Sequence, residues 1–509
     1  MDNQYFLALD YGTQSTRALV FDPKGNLIAK AQLANANCRE EQQGTAAASQ
    51  SGDYCVAQLT AVVQKLLAES SVRPGQIAAL SLTCQRACLV LMDESGHAQS
   101  DVFMWSDRRL AAEQLMPLPW YQRLGFGLLG LGKRIHYLRR CAKTNWLDRH
   151  KVAEAPKIGL LSGLLLSRLT DKLGDGVAYQ VGYLPFDYRR RRFANAGNWR
   201  WRALNCRPQQ MLPLAEATTV HGGLSAGFAS LTGLPTGLPV VLAGADKACE
   251  AYAAGAGDPG LACVSLGSAA TVTLGLERYT EAYRYAPAFP SLDSKQFLSE
   301  VQLERGFWLL SWLIREFGAE DCQGAKALGL SPEEYILRRI DAVTPGADGL
   351  LLSPTWAQGV IFPGPEARGA IVGWRPEHGR FHLYRAVIEG VLLTLARGLE
   401  RLRKVSGTVP SLIRVTGGGS QSDVVLQMAA DIFNLPVERL SVSEASGLGA
   451  AMCAAVAMGQ YESLAEARLG MAKSAQRFEP DPRRVACYRV VARQHARLYP
   501  RLKPLFQTM

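Results

Sequence analysis

No run of apolar residues in this chain approaches the ~20 that a membrane helix requires, so the sequence offers no candidate membrane span. There is no Cys-x-x-Cys pair either. The 11 cysteines (Cys38, Cys55, Cys84, Cys88, Cys141, Cys206, Cys249, Cys263, Cys322, Cys453 and Cys487) are odd in number, and many sit in apolar stretches. They read as thiols of a reducing compartment rather than a disulfide framework. Metal-ligand spacing is lacking as well: His378 and His382 are four apart, but Gly379 and Pro376 argue against one helix presenting both. The opening Met-Asp-Asn-Gln leads directly into a short strand and does not read as a signal peptide, so the cytoplasm is the expected compartment. Concentrated charge is scarce. The 56 basic and 45 acidic side chains leave +11, spread along the chain except at Arg189-Arg190-Arg191-Arg192 and at Arg200 and Arg202. A nucleic-acid binder needs a concentrated basic face with interleaved aromatics. Tyr188, Phe193, Trp199 and Trp201 do flank the cluster, yet the segment reads as a solvated surface stretch able to attract phosphate, and no nucleic-acid partner is expected.

What is present is 48% hydrophobic and 20% charged residues, an ordinary globular balance, in 509 residues that suffice for several cores. Four segments share a grammar. Phe6 to Asp22 reads as strand, Gly/Thr turn, strand, with hydroxyls, unhindered N–H groups and Arg17 near the tip. Cys263 to Leu274 repeats that plan with Gly267-Ser268 at its tip. Gly-rich tips of this kind form nests for phosphate oxygens, because a missing Cβ permits close approach and positive φ. Val240 to Glu250 runs a strand into a Gly turn and sets Asp246 at the start of an Ala-rich helix, a position suited to a general base, a metal ligand or a simple helix cap. Leu412 to Asp423 delivers Gly417-Gly418-Gly419 to a helix start, where a flat ligand can lie against backbone.

In this order and at these separations, the Asp-x-Gly-Thr hairpin, the Gly-x-Asp-x-Ala segment, the Ser-Leu-Gly-Ser hairpin and the triple Gly resemble the FGGY carbohydrate kinases. Arg368-Gly369-Ala370-Ile371-Val372-Gly373 followed by Leu383 to Gly390 is similar to that family's second signature, and the resemblance spans roughly residues 4 to 465. It implies an α/β, two-lobed actin-like ATPase fold of the ribonuclease H type, each lobe a mixed sheet flanked by helices, with the active-site cleft between lobes. It also implies roles. Asp246 matches the catalytic base, and Asp10 matches the carboxylate that holds Mg2+, through water. Gly12, Thr13, Gln14, Ser15 and Arg17 match the first phosphate loop of the ATP site, Gly267 and Ser268 the second, and Gly418, Gly419, Ser420 and Asp423 the adenosine region. On the substrate side Gln85-Arg86 resembles the Gln-Arg of glycerol kinases, and Trp105 and Asp107 fit the family's Trp-x-Asp-x-Arg motif. There the indole covers an apolar sugar face and the carboxylate accepts from hydroxyls.

Two positions depart from the relatives. Ala87 stands where glycerol kinases carry glutamate, and Lys247 where many relatives carry glutamine. Lys247 has two readings: its ammonium faces the sugar beside Asp246, or it forms a surface ion pair with Glu250 one turn on. The expected activity is ATP-dependent phosphorylation of a small-molecule ketose or polyol, most plausibly a pentulose such as xylulose or ribulose. Glycerol kinase and a catalytically idle actin-like nucleotide sensor stay open as alternatives, and a homodimer is compatible. The expected organisation is a sugar-binding lobe over 1–254, a nucleotide-binding lobe over 255–470 and a helical tail over 471–509 packed on a lobe. A hinge falls at Gly255 to Gly260, helical stretches at Asp53 to Glu69 and Ala155 to Leu169, and a helix at Leu383 to Lys404. The last carries a core-facing stripe of Ile388, Val391, Leu395, Leu399 and Leu402.

Overall fold

The computed structural model describes residues 4–36 and 47–509; Cys38 and the opening Met-Asp-Asn lie outside them. Within it the chain forms two compact units. One comprises Met1–Ala253, Phe289–Phe297 and Glu444–Lys473, the other Ala254–Ala288, Leu298–Ser443 and Ser474–Met509.

The first unit is built on a sheet with strand order Val220–Gly223, Pro239–Val241, Ile77–Cys84, Tyr5–Tyr11, Ser15–Phe21, Leu27–Ala34. Tyr5–Tyr11 and Pro239–Val241 both run parallel to Ile77–Cys84, and the N-terminal hairpin continues antiparallel from there. Central parallel strands are covered on both faces and therefore read as continuous apolar runs. Leu7, Leu9 and Tyr11 join a core with Cys55, Leu59, Val62 and Leu66 of the helix Gly52–Glu69, whose N-terminus is capped by Ser51 Oγ accepting from the Tyr54 N–H. The helix Ala445–Ala457 lies on Tyr5–Tyr11 and Ile77–Cys84 and also packs on the helix Asp246–Ala253. Its small residues permit this approach: a Cβ on Gly447 would strike Leu19, and one on Gly449 the backbone of Cys249.

Residues 444–470, expected in the second lobe, group with the first unit. The Ala/Gly composition of this helix suits close packing on the sheet of the first unit. The helix expected over Ala155 to Leu169 is divided into a strand, Lys157–Leu160, and a helix, Leu161–Thr170. Antiparallel pairing of Lys157–Leu160 with Leu89–Met92 overrides the local helical pattern.

The second unit repeats the central plan. Its sheet runs in the order Phe289–Pro290, Phe297–Leu303, Ala270–Leu276, Leu261–Leu266, Leu412–Thr416, Val437–Leu440, Ser474–Phe478, with Leu261–Leu266, Leu412–Thr416 and Val437–Leu440 mutually parallel. The helix Arg380–Ser406 buries the whole expected stripe. The tail begins as an edge strand, Ser474–Phe478, before the helices Pro482–His495 and Leu498–Thr508. No helix among the described residues is long and apolar enough to cross a membrane.

Candidate active site

Three parallel strands of the first unit end together, and their register decides what meets there. Asp10 pairs with Thr83 and Tyr11 with Cys84, while Cys84 forms a parallel bridge to Ala245. The ends of Tyr5–Tyr11, Ile77–Cys84 and the segment after Pro239–Val241 therefore bring Asp10, Gln85-Arg86 and Asp246-Lys247 to one edge of the sheet. Ligands of open α/β sheets bind at the carboxyl ends of such strands.

Asp10 is buried, and Arg17 faces it across the hairpin with Nη1 3.2 Å from Oδ2. The Ser446 hydroxyl donates to the same oxygen at 2.9 Å. Asp10 Oδ1 and Ser15 Oγ are buried without a hydrogen-bond partner among the described residues. Burial raises the Asp10 carboxyl above its ordinary range, and Arg17 and Ser446 offset only part of the rise. The hairpin tip is held by Asn35, whose Nδ2 donates to Gly12 O at 2.8 Å and whose Oδ1 accepts from Thr16 at 2.7 Å. Its backbone N–H donates to Gln14 O at 2.9 Å. Thr13 joins this tip to the substrate-side residues, accepting from Trp105 Nε1 at 2.9 Å and donating to Gln85 Oε1 at 3.2 Å.

Asp246 opens the helix Asp246–Ala253, where its Oδ1 accepts from the Lys247 N–H at 2.7 Å. Burial pushes its carboxyl up to about 6, against the pull of the Lys247 and Arg86 cations and with a further push from Asp10. Lys247 turns to Glu250, 2.7 Å away. This is not the surface pair one reading expected, because the two side chains are only 18% and 10% exposed. Burial alone would lower the Lys247 ammonium, but Glu250 and Asp246 outweigh it and hold the charge.

Asp107 departs from its expected role as a hydroxyl acceptor. Its side chain is wholly buried and engaged by Arg109, whose Nη2 lies 2.7 Å from Oδ2, and by the Ala48 N–H at 3.0 Å. Arg109 in turn lies over the Trp146 ring at 4.2 Å. Asp107 thus braces the loop that carries Trp105.

The other designated residues lie in the second unit, again at the ends of parallel strands. Ser265 pairs with Thr416, which sets the tip Gly267-Ser268 beside Gly417-Gly418-Gly419. The carbonyls of Gly267 and Ser268 accept from Phe307 and Gly306 at 3.0 and 2.7 Å. Gly417 has φ 79°, and a Cβ there would come within 2.9 Å of Gly267 N; one on Gly419 would come within 2.7 Å of Leu266 Cβ. These two glycines serve loop-to-loop packing, and Ser420 is buried with its hydroxyl on Gly417 O at 2.7 Å. Gly418 differs, since a Cβ there would meet nothing within 4 Å. Asp423 stands at the start of the helix Asp423–Phe433, 3.0 Å from Arg439.

Models of the FGGY family of carbohydrate kinases match residues 5–252 with the N-terminal domain and 281–458 with the C-terminal domain. The chain belongs to the FGGY family of carbohydrate kinases. It is a carbohydrate kinase that uses ATP as phosphate donor and acts on a small-molecule sugar or polyol. The uncharacterized sugar kinase YgcE of Escherichia coli is 26% identical over 94% of this chain and 90% of its own length. The xylulose kinase of Bacillus subtilis is 25% identical over 99% of this chain and 98% of its own. A gluconokinase of Bacillus licheniformis is 24% identical over 99% and 94%. Among solved structures, the ligand-bound xylulose kinase of Lactobacillus acidophilus superposes with a TM-score of 0.82 at 18% identity, over 99% of both chains. The two-domain actin-like FGGY fold is thereby established.

Sequence reasoning missed Asn35, Glu444 and Ser446. Glu444 lies 3.6 Å from Arg17 and 2.5 Å from Lys30. Nothing local marks these residues, since Ser446 meets Asp10 only through a separation of 436 positions.

Proposed function

We propose that this kinase phosphorylates a pentulose such as xylulose or ribulose, with Asp246 as the general base and Mg2+ held beside Asp10. The observation that carries the reading is the shared sheet edge on which Asp10, Gln85-Arg86 and Asp246 stand. The length-spanning similarity to xylulose kinases supports the substrate class. Asp246, titrating near 6, is ionised at neutral pH yet basic enough to take a proton from a hydroxyl as it attacks. Arg86 and Gln85 bind and orient the sugar, and the indole of Trp105, fixed by Thr13, covers its apolar face.

The buried, unpartnered Asp10 Oδ1 fits a magnesium site, because Mg2+ keeps most of its waters and needs few protein oxygens beside the nucleotide phosphates. A bound Mg2+ supplies charge neutralisation at the transferring phosphoryl group. Arg17 holds the Asp10 carboxylate in place, and the backbone of Gly12 to Ser15 cradles phosphate oxygens; within the second unit, Gly267 and Ser268 form a tip of the same kind. Gly418, open above its Cα, lies against the adenosine, with Gly419, Ser420 and Asp423 shaping the region around it.

The test is ADP release across pentuloses, hexuloses, polyols and aldonates, in the wild type and in Asp246→Asn. A pentulose is expected to turn over best, and Asp246→Asn to lose about 100- to 10,000-fold while still binding nucleotide. Near-normal turnover in that variant removes the base assignment. A best rate on glycerol or on an aldonate moves the substrate class.

A further inference from the structure

We propose that residues 289–297 form a strap that completes the substrate side of the first unit, with Phe289 positioning the Arg86 guanidinium and Arg191 anchoring the strap. In sequence the segment is flanked on both sides by residues of the second unit, yet it groups with the first, and its own Phe289–Pro290 strand pairs with Phe297–Leu303. Its anchor comes from the arginine cluster that reads as solvated surface. Arg191 has φ 54°, a conformation that non-glycine residues adopt only when their surroundings fix it. Its side chain is 10% exposed, with Nη2 2.6 Å from Glu216 Oε2. The same guanidinium donates to Gln296 O at 3.1 Å and to Ser291 O at 3.3 Å, and it lies 6.0 Å from the Phe297 ring centre. A planar fork of five donors bridges a carboxylate and two main-chain carbonyls at once in a fixed geometry.

The strap reaches both shoulders of Asp246. Phe289 packs edge-on against Tyr188 at 5.4 Å, and the Arg86 guanidinium sits 5.2 Å from its ring centre. Leu292 lies so close to Gly244 that a Cβ there would come within 2.8 Å of it. Arginine carries several free torsions, and a guanidinium held on an aromatic face before substrate arrives has less freedom to lose on binding. Phe289 is thus a positioning residue that acts through Arg86, and the proposal rests on the reading that Arg86 binds substrate.

The test uses the full chain and the best substrate of the panel. Phe289→Leu keeps apolar bulk but removes the ring, and it is expected to raise the sugar KM about tenfold without changing the KM for ATP. Arg191→Met is expected to give the same split, and Phe289→Leu added to Arg86→Ala is expected to have no further effect. A sugar KM unchanged in both single variants overturns the strap while leaving the kinase reading intact. Amide hydrogen exchange of residues 289–297 without substrate supplies a readout independent of sugar identity. Faster exchange in Arg191→Met supports the anchor and unchanged protection overturns it, even if wild-type protein phosphorylated no sugar in the panel.

Discussion

Burial raises both carboxylates at the strand ends, Asp10 and Asp246, and Asp246 shows how neighbouring charges then act on such a group. Burial drives its carboxyl up to about 6, while Lys247 and Arg86 pull it down. As the proposed base, Asp246 must be unprotonated to act, so kcat/KM for the sugar is expected to fall as pH drops through about 6 and to stay level above it. Lys247→Gln removes one of the two restraining cations, so the same limb should move to higher pH. It also leaves the largely buried Glu250 without its ion-pair partner, at a stability loss of about 1–3 kcal/mol measurable by thermal unfolding. Because the ammonium is committed to Glu250, the ratio of aldonate to neutral-sugar turnover should not change. A limb that stays in place would mean that Lys247 does not act on Asp246, and a shifted substrate ratio would return the lysine to the sugar site. Asp10 and Asp246 stand out in the sequence because each lies near the end of an apolar run and two residues from a Gly. Asn35, Ser446 and Phe289 do not, since each meets a partner that is adjacent only after folding.

At the scale of single elements, the second family signature is a packing device. A Cβ on Gly369 would strike the Trp356 ring, and one on Gly390 would lie 2.5 Å from Leu352 O. Between them Arg385 and Glu389, one helical turn apart and each 2% exposed, form a 2.7 Å ion pair inside the second unit. Arg385 Nη1 also donates to Ile340 O and the Gly346 N–H to Glu389 Oε1, while Tyr488 OH accepts from Arg385 at 2.9 Å and donates to Glu389 at 2.7 Å. A buried pair is tolerable only when its lone pairs and protons are satisfied in this way. Tyr488→Phe removes a single oxygen and is expected to cost about 1–3 kcal/mol in unfolding without altering either KM. An unchanged thermal midpoint would mean that water replaces the hydroxyl. The helix Arg380–Ser406 was readable from its apolar period. The residues that tie it to the tail were not, because Tyr488 lies 99 residues from Glu389. The strand at Lys157–Leu160 escaped detection for a related reason: strand pairing with Leu89–Met92 outweighed helix propensity, and no window of sequence contains both partners.

For the whole molecule, the family boundaries at 5–252 and 281–458 describe sequence, whereas the physical units are woven. The chain leaves the first unit after Ala253, returns for Phe289–Phe297, and returns again for Glu444–Lys473. The last return supplies the helix Ala445–Ala457, in which ten of its residues, from Ala445 to Ala455, are buried, and it covers the two central strands that carry Asp10 and lead into Gln85. A fragment ending at Ala253 would therefore expose the apolar face formed by Phe6, Ala8 and Leu19 and would strip Ser446 from Asp10. Exposed contiguous apolar surface of this kind favours association over a stable monomer. Residues 1–253 expressed alone are expected to bind a hydrophobic dye and to melt without a cooperative transition, while the full chain melts cooperatively. Adding residues 444–473 through a flexible linker should restore much of the transition, because loop closure grows only slowly with length and the helix brings its own complementary surface. A fragment 1–253 that melts as sharply as the full chain would show that the first unit folds without its returning helix. The weave would then be a consequence of gene order with no energetic role.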